Sequence, residues 1–181
     1  GGLAGFTLAE NKALATLPIS LMVLVSMFSA APMSLFMGRF GRRLGFWVGA
    51  TAGALGGAIS ALSLLLESFE LLLFGAAFTG IYQATHGFFR FAAADTASEA
   101  FKPKAISWVL AGGLLGALIG PEVVRVTADY FAPIPFAGAY ASIVAINLAG
   151  AIGILFLDIP TPPRRAKGAS SGRPLGEIFR Q

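Results

Sequence analysis

LGFWVGATAGALGGAISALSLLL, residues 44–66, carries no charged side chain and sets Gly45, Gly49, Gly53 and Gly57 at four-residue intervals. It lacks the strict polar–apolar alternation of a half-buried strand, and a continuous apolar stretch of roughly 20 residues is what crossing hydrocarbon as a helix requires. Glycines four apart share one helix face. They let a second backbone approach closely, which matters where lipid supplies no hydrophobic drive for helix association. The stretch reads as a transmembrane helix with a packing face.

Working outward, the same pattern recurs over residues 13–38, 71–92, 105–126 and 135–157. The fold class expected is therefore an all-α integral membrane protein with five complete transmembrane helices, bundled over residues 1–157. Residues 1–9 are apolar but too short to cross, and are expected to be the outer end of a truncated first helix. Continuous runs favour helices over a barrel, whose strands would alternate lipid-facing and lumen-facing residues. Prolines at 18, 32, 133 and 135 predict kinks. No basic segment precedes a short apolar one, so no signal peptide is visible, and the chain's first residue, Gly1, reads as a cut end. From residue 158 to 181 the composition turns to Pro, Gly, Ser and Arg, the mark of a linker. Its end sets Leu175, Ile178 and Phe179 on one face of a short basic amphipathic turn.

Bulk composition agrees: 56% of residues are hydrophobic, 12% are charged and the mean hydropathy is +0.76, against roughly 25% charged in soluble domains. The net charge of +4 does not indicate nucleic-acid binding, because the basic residues are scattered over short connections rather than gathered on one face. They do predict orientation. Arg39, Arg42, Arg43, Lys102, Lys104, Arg164, Arg165, Lys167, Arg173 and Arg180 fall on one side, and only Lys12 and Arg125 on the other. Lysine and arginine mark cytoplasmic connections, so loops 39–43 and 98–104 and the C-terminal tail are expected in the cytoplasm of a cell with this protein in its inner (plasma) membrane. Without cysteine there is no disulfide, thiol nucleophile or thiolate metal site.

The run over 71–92 is the least uniform. Thr79, Gln83, His86 and Arg90 fall at offsets that share one helix face. A polar stripe facing lipid is costly, so this face should turn towards the bundle interior or a wet cavity. Gln83, His86 and Arg90, with Asn147 in the last run, are candidates for a substrate or proton path; histidine is the side chain suited to proton handling near neutral pH. The alternatives are a hydrogen-bonded structural histidine, and an arginine that reaches to the interface. Gly112, Gly116 and Gly120, followed by Pro121, form a second glycine stripe for helix packing or gating. Glu122 and Arg125, at i and i+3, are placed to pair. No paired carboxylates, metal-ligand cluster, phosphate-binding loop or nucleophile with a base stands out, so neither an enzyme nor a cofactor is expected.

One loop carries a family resemblance. SLFMGRFGRR, residues 34–43, resembles the cytoplasmic loop signature of major facilitator superfamily transporters: Arg39, Gly41, Arg42 and Arg43 match, while Ser34 replaces a glycine and Gly38 an aspartate that in the family helps hold the cytoplasmic side closed by charge contacts. RFAAAD at 90–95 resembles the cytoplasmic end of the family's fourth helix, GALIGP at 116–121 its fifth-helix motif, and RPLGEIFRQ at the end its central linker. The resemblance implies a twelve-helix transporter of two pseudosymmetric halves that moves a small solute by alternating access. This chain would supply the end of helix one and helices two to six, and its partners would be the lipid bilayer, the missing C-terminal half and the solute. The competing reading is a non-transporting membrane scaffold that pairs through its glycine faces.

Overall fold

A computed structural model describes residues 1–157 and Ile159. Among them there are seven α-helices and no strand: α1 (Gly2–Leu8), α2 (Leu17–Phe40), α3 (Arg42–Leu65), α4 (Phe69–His86), α5 (Phe89–Thr96), α6 (Lys102–Thr127) and α7 (Ala137–Leu155), with a single 3₁₀ turn at Lys12–Leu14. Apart from Ile159, the linker at 158–181, with its amphipathic end, lies outside the described residues.

The helix boundaries follow local chemistry. Proline occupies the first turn of both α2 (Pro18) and α6 (Pro103), where the missing N–H costs nothing. Pro18 thus starts a helix rather than kinking one. Pro133 and Pro135 fall in the connection ahead of α7, which begins only at Ala137, because Pro has no N–H to give to a helix interior. Pro32 and Pro121 do lie inside helices. The side chain of Ser68 accepts the Leu71 N–H at 3.1 Å and caps α4. Between α2 and α3 the whole connection is Gly41, at φ 94° and ψ 153°, a conformation in which a Cβ is strained.

The run expected as one helix over 71–92 is two. At Gly87 and Phe88 the ladder shortens: the Phe88 N–H bonds the Thr85 carbonyl at 3.0 Å, three residues back, and α5 starts afresh. Four described helical stretches are long and apolar enough to cross a membrane, Lys12–Phe40, Arg42–Leu65, Lys102–Thr127 and Ala137–Leu155. Sequence reading expected five complete spans. The difference is α4, which stops at His86 after 18 residues with Glu70, Thr79, Gln83 and His86 among them, and is not one of the four.

Packing centres on α3, which lies against α4 on one side and α7 on the other, while α2 covers α4. The glycines of α3 make this possible. A Cβ on Gly49 would run into Thr85, one on Gly53 into Asn147 and Tyr82, one on Gly56 into Thr79 and the Gly75 carbonyl, and one on Gly57 into Ile143. A smaller crossing of the same kind sets Gly80 of α4 against the Met22 carbonyl and Val25 of α2. Among the described residues every buried side-chain polar atom has a partner, as hydrocarbon demands. α6 differs: it buries none of its residues, and nothing stands within 4 Å of a Cβ on Gly112, Gly113, Gly116 or Gly120.

The helices run alternately, so their connections gather at two ends. At one, Arg42 pairs with Asp95 at the end of α5, and the Arg43 guanidinium donates to the Leu155 carbonyl at the end of α7. At the other, Ala4, Leu64, Leu72 and Ala137 form a buried cluster.

Candidate functional site

At the arginine-bearing end, α4 turns its polar face out of the bundle. Thr79 is still engaged, donating to the Gly75 carbonyl at 3.0 Å where α4 crosses Gly56 of α3. One and two turns further on, Gln83 and His86 are exposed, and Arg90 beyond the helix break is exposed as well. Among the described residues none of these three side chains makes a hydrogen bond or ion pair within the chain. Their donors and acceptors are left unused by the described residues.

Their backing is rigid. The His86 ring stands edge-on to Phe89, 5.6 Å between centroids, and tilted against Tyr82 at 6.0 Å. Phe89 in turn stacks on Phe46 of α3 at 4.3 Å, and Phe46 is fully buried. The imidazole therefore tops an aromatic column rooted in the core, and its orientation is set by packing. The Arg90 guanidinium lies 4.9 Å from the Phe91 ring, within cation–π range. The buried Thr85, on the neighbouring face, fixes the spacing of α4 from Gly49.

Asn147 is placed elsewhere. It is 8% exposed between α7 and α3, its amide donates to the Ile143 carbonyl at 2.9 Å, and its oxygen fills the space over Gly53. It does not share the face of Gln83, His86 and Arg90. Arg39 is exposed at the end of α2, its guanidinium 5.3 Å from the Phe40 ring, and Gly45 abuts Met37. Glu122 accepts from Arg125 at 2.8 Å on the exposed surface of α6, one residue beyond Pro121. A cavity of about 440 Å³ opens at the opposite end, lined by Gly1, Gly2, Ala4, Val124, Tyr140 and Ile143. It is apolar and remote from the polar face, so the three candidate residues do not line it. No group of three His, Asp or Glu able to hold a metal occurs among the described residues.

Two features escaped sequence reading. The pairing of Arg42 with Asp95 joins positions 53 residues apart, and no local pattern announces it. The aromatic column was legible in part, since Tyr82, His86 and Phe89 follow at i, i+4 and i+7, but Phe46 joins it only through the crossing of α3.

The family model described as Major Facilitator Superfamily matches residues 3–181. The chain belongs to the major facilitator superfamily. Among curated proteins it is 39% identical to the riboflavin transporter RfnT of Brucella anthropi over 99% of this chain and 46% of that protein. Two uncharacterized MFS-type transporters of Bacillus subtilis, YddS and YdeG, are 29% and 27% identical over 87% and 90% of this chain and 37% and 38% of their own lengths. The chain thus spans less than half the length of these curated relatives. No solved structure matches it. Family membership and the apolar helices make this a multi-pass membrane protein, with the exposed apolar side chains of α2 and α6 bathed in lipid or covered by further protein.

Proposed function

We propose that the chain is part of a secondary transporter that moves a small solute by alternating access, and that Gln83, His86 and Arg90 line its path at the arginine-bearing end. The observation that carries this reading is the exposed polar face of α4 and α5: three side chains with unused hydrogen-bonding capacity beside a break in the helix. Turning them to lipid would cost at least a few kcal/mol for the arginine alone. Membrane transporters place such interrupted helices at their binding sites, where irregular backbone lines a cavity. Here α4 and α5 together form a fifth crossing and α1 the end of a first one. Family membership and the named activity of the Brucella anthropi relative make a flavin the first cargo to test.

The arginine-bearing end is cytoplasmic in this reading. Among the described residues it gathers Arg39, Arg42, Arg43, Arg90, Lys102 and Lys104 against Asp95 and Glu99, and the other end Lys12 and Arg125 against Glu10, Glu67, Glu70, Glu122 and Asp129. Basic connections stay inside. Asn147 serves packing of α7 on α3. The Arg42–Asp95 pair and the Arg43 cap hold α3 to α5 and α7 at the cytoplasmic end, so α5 moves with the bundle.

The test is reactivity of single cysteines towards a membrane-impermeant thiol reagent in the full-length protein. Positions 83, 86 and 90 should react, with protection by transported solute, while 84 and 88, packed in the core, and 74, on the opposite lipid-facing side of α4, should not. Equal reactivity at both sets would remove the path. His86→Gln asks separately whether protons are carried: a flattened pH profile of uptake assigns that role to His86, and an unchanged profile leaves it to the solute alone.

A further inference from the structure

The same face specifies what part of a cargo it can hold. Gln83 offers one carbonyl acceptor and two N–H donors side by side, which is the complement of a cyclic amide or imide edge where C=O and N–H alternate. One turn on, the exposed His86 ring is fixed by its edge-on contact with Phe89 and, through it, by buried Phe46. A π-surface held this way can stack a flat ring with little loss of side-chain freedom. Beyond the break, on α5, Arg90 adds a second planar group, already lying on Phe91. From Gln83 to His86 the rise along α4 is about 5 Å at 1.5 Å per residue, within the span of one fused ring system, and Arg90 stands beyond the break.

Polyol recognition asks for something else. Sugar alcohols are held by several carboxylate or amide groups converging on adjacent hydroxyls, and the exposed face of α4 and α5 offers a single amide followed by two planar cationic or aromatic groups. We infer that the path residues Gln83, His86 and Arg90 recognise the flat heteroaromatic ring system of the cargo, Gln83 reading its amide edge and His86 stacking on its face. This rests on the transporter reading above and adds to it the chemical class of the group bound at this wall.

The experiment uses the full-length protein in proteoliposomes, with riboflavin, lumiflavin (the ring system without its sugar alcohol) and ribitol (the sugar alcohol without the ring) as probes. Lumiflavin should compete with riboflavin uptake and ribitol should not. Gln83→Leu should raise KM for riboflavin roughly ten- to a hundredfold, the loss of one two-point edge contact. His86→Phe should retain binding and the quenching of flavin fluorescence that stacking causes, whereas His86→Leu should lose both. Monodisperse purification of each variant separates these effects from misfolding, since all three side chains are exposed in the chain.

Competition by ribitol but not lumiflavin, or an unchanged KM in both Gln83→Leu and His86→Leu, overturns ring recognition. Absence of any flavin binding or uptake overturns it too, while the transporter reading survives that result if cysteines at 83, 86 and 90 still react from water. Failure of those cysteines to react overturns the transporter path itself, so the two failures are told apart.

Discussion

Gly49→Ala tests the packing of α3 on α4 where an added Cβ comes closest to the facing helix. A Cβ added there would lie 2.7 Å from the Thr85 Cβ and 2.9 Å from its Cγ2, against roughly 3.5–4.0 Å for comfortable carbon contacts. Thr85 cannot turn away: it is 2% exposed, β-branched, and its hydroxyl donates to the Tyr82 carbonyl at 2.7 Å. Relief therefore requires α3 and α4 to part by about 1 Å, and overpacking of this kind costs about 1–3 kcal/mol. Alanine regains about 1 kcal/mol of helix propensity over glycine, leaving a net loss of about 0–2 kcal/mol. Gly116→Ala is the control, because it has the same propensity gain and nothing within 4 Å to meet. The difference between the two variants isolates the clash at about 1–3 kcal/mol, or several degrees in the midpoint of thermal unfolding for a chain of this size. Melting of the 181-residue chain in mild detergent, followed by size-exclusion chromatography, measures it. Swapping knob and hole, Gly49→Ala with Thr85→Gly, should recover much of the loss. Equal midpoints for Gly49→Ala and Gly116→Ala would refute the close approach of α3 and α4.

At the hinge between α2 and α3, Gly41→Ala should destabilise by about 1–3 kcal/mol, since φ 94° and ψ 153° suit only glycine, while Gly38→Ala, with open space around it, should be neutral in the same melt. Under the proposed transport role, Arg42→Asp and Asp95→Arg should each reduce uptake by the full-length protein, and the double exchange should restore part of it if the pair acts as a contact; an additive double mutant would show that the two side chains act separately. Ser68→Ala should cost about 0.5–2 kcal/mol by uncapping α4, read as a lowered melting midpoint. For topology, cysteines at 42 and 104 should be labelled from the cytoplasm and one at 68 only from outside; labelling of 68 from the cytoplasmic side would reverse the orientation.

Much of the fold was written in local terms. Continuous apolar runs, each bounded by charge, fixed four long helices because hydrocarbon leaves a backbone few other ways to satisfy its hydrogen bonds. The helix ends lie within a few residues of the ends of the apolar runs, apart from the break at Gly87–Phe88, where Gly87 keeps a right-handed helical conformation (φ −59°, ψ −21°) and no local signal marks the start of α5 against α6. The polar face of α4 was readable from spacing alone. Its exposure was not, because whether offsets 0, 4 and 7 face a neighbour or open space is decided by α2 and α3: they cover Thr79 and leave Gln83 and His86 free. Asn147 shows the opposite failure, a mid-run polar residue that satisfies itself one turn back on its own helix.

The two glycine stripes make the same point in its sharpest form. Gly45, Gly49, Gly53 and Gly57 on α3 and Gly112, Gly116 and Gly120 on α6 have the same four-residue period and predict the same smooth face. In the bundle the first is filled from end to end by Met37, Thr85, Asn147, Tyr82 and Ile143, and the second touches nothing. Period is a property of one helix, whereas packing is a property of two, so the sequence of a helix can state that a close approach is possible without stating what approaches. α3 finds its partners within these residues because α4 and α7 are both present. α6 carries the same stripe with no helix of the described residues against it, so the period of its glycines states a capacity for close approach that these residues leave unfilled.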